Sequence, residues 1–127
     1  MSTKTEGRHA AEFLVSESPG SISRDEATVT VAATTTLKAG MVLGRLTATG
    51  KYVPYDNAGS DGSEAAYGVL LDEVANATGA PVDVEATVIN WGAEVRYSSL
   101  EWASGLVDAD KDAAAVDLLA RGIKVRT

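Results

Sequence analysis

The residues able to do chemistry are few. His9 is the one histidine and cysteine is absent. A Ser-His-Asp relay needs an imidazole held rigidly between its partners, and His9 lies in a polar N-terminal stretch that offers no such frame. Without thiolates, and with one imidazole, the usual zinc ligand sets cannot be assembled. Asp108, Asp110 and Asp112 occupy positions one, three and five of a calcium loop, but Ala113 stands where its glycine belongs and Leu119 where its bidentate acid belongs. Helix capping and a solvated face are the reading taken. Gly44 to Lys51 imitates a phosphate loop with one residue too many between its glycines, and Tyr52 replaces the magnesium-binding Ser or Thr; this segment reads as a hairpin. Asn76-Ala77-Thr78 is a glycosylation acceptor only in a secreted chain. Trp91, Trp102 and the four tyrosines read as core and rim packing, with a ligand groove as the alternative. Hydrolase, transferase and metal-dependent activities are therefore not expected, and no cofactor or metal is called for.

The elements that carry these residues belong to one domain of 127 residues, 45% hydrophobic and 23% charged, with an aliphatic core because aromatics make up only 6%. Neither a membrane span nor a signal peptide is expected, and the lack of cysteine suits an intracellular origin. The net charge is -7. Residues 1–26 carry three bases against five acids, residues 27–107 four against nine, and residues 108–127 four against four. No segment concentrates positive charge, so nucleic-acid binding lacks its driving force.

Residues 1–26 read as an extended arm, broken at Ser18-Pro19-Gly20-Ser21. Its apolar islands, Phe13-Leu14-Val15 and Ile22, are expected to dock on another chain, the alternative being that they fold back on their own domain. Residues 27–127 form the body. Thr28 to Val31 alternates at period two, as do Val82 to Val88 and Ala93 to Tyr97. Met41–Leu46 and Lys51–Tyr55 flank a hairpin link at Thr47–Gly50; Asp56–Ser63 is a surface loop, and Tyr67–Val74 a buried strand. Ser99–Trp102 forms a short helical turn. A helix over Lys111–Arg121, capped by Asp108 or Asp110 and ended by Gly122, turns Val116 and Leu119 to the core with Leu118 beside them. Ile123–Arg126 closes the sheet. The fold class is mainly β (β-rich α+β), a small barrel or sandwich-like domain with one or two short helices.

Leu37-Lys38-Ala39-Gly40-Met41-Val42-Leu43-Gly44 and Gly50-Lys51-Tyr52-Val53-Pro54-Tyr55-Asp56 resemble the lambda-type head decoration proteins of tailed bacteriophages. The likeness continues through Asp61–Leu70, Gly92–Tyr97, Leu100-Glu101-Trp102 and the helix with its closing strand, in order along the chain. The resemblance implies a homotrimer, made in the bacterial host cytoplasm and placed on the outer surface of the virion. There it clamps major capsid protein subunits at threefold positions against the pressure of packaged DNA, with no nucleic-acid or membrane partner. The capsid-binding residues expected are Phe13, Leu14, Val15 and Ile22 of the arm. Val29 and Val31 join them on the expectation that Thr28–Val31 adds as a strand to an exposed sheet edge. The competing functions are a small-ligand or glycan-binding β module and a self-assembling fibre or surface-layer subunit.

Overall fold

The computed structural model describes residues 13–18 and 23–127. Alternating apolar residues build most of the strands. β2 (Arg24–Val31) pairs antiparallel along its whole length with β8 (Val82–Ile89), from Arg24 opposite Ile89 to Val31 opposite Val82. Between them stand β4 (Val42–Arg45), β5 (Tyr52–Pro54) and β6 (Ala66–Leu70), and the order β2-β5-β4-β6-β8 closes into a barrel. β4 and β5 are the expected hairpin. β3 (Thr35–Leu37) and β7 (Val74–Asn76) make a separate two-stranded ribbon, so the strand foreseen over Tyr67–Val74 is two strands with a turn between them.

A second sheet has the order β1-β9-β10. β9 (Ala93–Arg96) is its centre, β1 (Leu14–Glu17) lies antiparallel on one side, and β10 (Ile123–Arg126) lies parallel on the other. Parallel neighbours need a crossover, and α1 (Asp108–Ala120) supplies it. Gly122, at φ 77°, takes the left-handed position after the helix that a side chain would strain. β10 is thus the final strand expected over Ile123–Arg126, and it ends this second sheet rather than the barrel. The 3-10 turn falls at Tyr97–Ser99, just ahead of the foreseen Ser99–Trp102.

Two apolar clusters result. Val29, Val31, Leu43, Tyr52, Leu70 and Val88 are among those filling one. Phe13, Val69, Ile89, Val95, Leu118 and Ile123 are among those filling the other, which also takes in Ala93 and Ala114.

The helix face differs from the sequence expectation. Ala114 and Leu118 are wholly buried, whereas Val116 is 69% and Leu119 60% exposed. The inward stripe runs at spacing four through two residues. Asp117 beside it is also engaged, its Oδ2 accepting the Ala66 N–H at 3.1 Å. The N-cap is Val107, not Asp108 or Asp110 as expected: Asp108 is already the first helical residue, and Asp110, in the third helical position, accepts the Val107 N–H through Oδ2 at 3.1 Å.

Candidate interaction surfaces

β1 is built to stay on the body. Phe13, an apolar residue in a polar stretch, is fully buried, and its carbonyl accepts the Arg96 N–H at 2.8 Å. Ser16 Oγ donates to Glu94 Oε2 at 3.1 Å, and Arg126 Nη2 donates to Glu94 Oε1 at 2.7 Å, so one carboxylate ties β1, β9 and β10 together. At the far end Ser18 donates through its N–H and its hydroxyl to the Gly92 carbonyl, at 3.0 and 2.8 Å. Glu17 receives Arg24 Nε and Nη2 as a fork and Ser23 Oγ at 2.6 Å, which holds β1 to the start of β2. The Arg24 bond, helped by Ser23, keeps the Glu17 carboxyl below the ordinary glutamate range; bonding from Arg126 does the same for Glu94.

The register of β1 slips between Leu14 and Ser16, leaving Val15 as the extra residue. A bulge re-aims a side chain, and Val15 is indeed exposed. Among the described residues β1 pairs with β9 alone, and none of them pairs with its other backbone edge.

The residues named from the sequence are therefore not one surface. Val15 is exposed and Leu14 half-buried. Phe13 is a core residue, because its ring meets the second cluster. Val29 and Val31 are fully buried in the barrel, and β2 is paired with β8 along its length and with β5 at Val29, so Val29 already has a strand on either side. Ile22 and His9 lie outside the described residues. The boundary drawn between residues 26 and 27 falls inside β2.

A second surface was not foreseen. Val116 and Leu119 stand on the outer side of α1 and line a shallow groove with Ala115, Val125 and Lys124. Asp108 and Asp112 flank it past Ala115. A helix apolar on its outer as well as its inner side has more to bury than one core. The sequence signal was present, since Val116 and Leu119 were recognised as a pair; only the side they face was misread.

The chemistry singled out from the sequence is structural in place. Gly44 sits in β4 and Gly50 in the hairpin turn. Asn57 Nδ2 donates to Asp110 Oδ1 at 2.8 Å. Among the described residues no three His, Asp or Glu side chains converge as metal ligands, and no helix is long and apolar enough to cross a membrane. Trp102 packs against Tyr97 and under Lys111, whereas Trp91 is half-exposed.

Residues 3–123 match the family profile described as bacteriophage lambda head decoration protein D. No curated protein matches the chain.

Proposed function

Because this chain belongs to the bacteriophage lambda head decoration protein D family, we propose that it binds the outer surface of the expanded phage capsid at threefold positions. There, as a homotrimer, it stabilises the shell against packaged DNA. The family match across residues 3–123 is the observation that carries this reading. The family is structural, which agrees with a chain whose histidine, acidic and glycine motifs each lack a member.

In this reading the segment ahead of Phe13, with Val15 and the other backbone edge of β1, meets the major capsid protein. The outer face of α1 meets a second copy. Its apolar side chains are flanked by Asp108 and Asp112 on one side and Lys124 on another, so two copies can oppose unlike charges around an apolar centre. Three linked attachments multiply the strength of one, by about 10²–10⁴ when geometry permits all of them. The test is binding to purified expanded and unexpanded shells. Attachment to expanded shells only, with greater resistance of those shells to heat, is expected; absence of binding to either overturns the reading.

A further inference from the structure

A polar groove of about 400 Å³ opens beside the barrel, lined by no residue of β1 or of the outer face of α1. Tyr67 of β6 lines it. The guanidinium carbon of Arg121 lies 4.0 Å from the Tyr67 ring centre and that of Arg45 lies 5.3 Å from it. Stacking on one ring pre-organises both forks, and the separation of the two cations cannot exceed the sum of those distances.

Three of the described cations are paired with carboxylates, and these two arginines are not among them. Arg24, Lys51 and Arg126 each hold a carboxylate. Arg45 Nε donates to the Gly50 carbonyl and Arg121 Nε to the Asn90 carbonyl, each at 3.3 Å; among the described residues neither has an ion pair. Tyr52 lines the same groove and is 4% exposed. Its hydroxyl accepts Asn90 Nδ2 at 3.2 Å, leaving its own proton without an acceptor among the hydrogen bonds of the described residues. The groove also holds two carboxylates, each with one side-chain hydrogen bond. Asp25 accepts Asn90 Nδ2 at 2.6 Å, and Glu26 accepts the Thr87 hydroxyl.

We propose that Arg45, Arg121 and the Tyr52 hydroxyl form a binding site for a single carboxylate. Arg45 of β4, Tyr52 of β5 and Arg121 of the α1–β10 turn line this one groove; each arginine spends only its Nε on a backbone carbonyl, and guanidinium Nη donors match a planar carboxylate. Asp25 and Glu26 line the same groove and oppose added negative charge, which favours a monocarboxylate over a polyanion. The imitation of a phosphate loop in Gly44–Lys51 finds its physical content here, since Arg45, Gly50 and Lys51 line this groove. The carboxylate can come from an acidic side chain of a protein partner or from a free organic acid.

The test is an NMR titration of the full chain with sodium acetate and glutarate, against sodium chloride at equal ionic strength, following the Arg Nε–H signals. Saturable movement of the Arg45 and Arg121 signals with carboxylate alone is expected. Tyr52→Phe should weaken the response about tenfold, as loss of one hydrogen bond to a charged group does, and Arg45→Gln/Arg121→Gln should abolish it while the circular dichroism spectrum stays native. Equal movement with chloride, or an unaltered response in both variants, overturns the site. Shell binding identifies the source: competition by glutarate and loss in the double variant mark a partner's acidic side chain, whereas unchanged attachment beside a retained solution response marks a free acid.

Discussion

Leu118 and Leu119 are adjacent in sequence and opposite in environment, one fully buried and the other 60% exposed. Leu118→Ala should therefore cost about 2–5 kcal/mol in denaturant unfolding. Leu119→Ala should stay within about 0.5 kcal/mol of the parent, as surface changes do. Glu17 gives a pH signature at the same scale. Its carboxyl is held below the ordinary value of 4.5, chiefly by Arg24. A group whose folded pKa is depressed contributes stability above its unfolded value and loses it as pH falls through the folded one. The melting temperature advantage of the parent over Glu17→Gln should be full at neutral pH and shrink as pH falls below 4.5. A constant difference down to acid would show that the Glu17–Arg24 fork does not form.

At the scale of elements, β1 joins the body through Phe13 and leaves Val15 outside. Phe13→Ala should cost about 3–5 kcal/mol, read by thermal unfolding. Removing residues 1–12 spares that anchor, and should leave the melt unchanged while abolishing shell attachment; Val15→Asp should weaken attachment in the same direction. Attachment by the truncated chain at parental strength would move the docking surface onto the body. Much of this architecture was legible beforehand. Alternation marked β8 and β9, a glycine link marked the β4–β5 hairpin, and Gly122 marked the end of α1. Three features were not. Phe13 looked like arm because its apolar island is short and set in a polar stretch, and the bulge that separates it in role from Val15 has no local signature. Val116 and Leu119 fit a helical stripe as well as Ala114 and Leu118 do, and small alanine hides an inward face. The Arg45–Tyr67–Arg121 stack joins residues far apart in sequence, which periodicity cannot bring together.

For the whole molecule, the trimer proposed above would rest on the apolar outer face of α1. Leu119→Asp should shift mass measured by light scattering from trimer toward monomer without lowering the melting temperature of the isolated fold. Shell attachment through apolar and strand contacts should respond only weakly to moderate salt, because screening acts on exposed charges; a steep loss with salt would point to ion pairs. The sheet β1-β9-β10 also constrains how the protein is made. Ser16 finds Glu94 across 78 positions, and β2 likewise waits for β8. While a ribosome is still adding residues short of Val82, neither β1 nor β2 has the partner that pairs it along its length. The first two strands emerge from synthesis unmatched, and β9 gains its second neighbour only when Ile123–Arg126 arrives. Such a chain has little to gain from folding piecemeal as it is translated, since long-range pairing bears its loop-closure cost before any reward. Its folding should come as one late event, once residues 123–126 have been made, on the timescale of about milliseconds to seconds typical of β-rich domains.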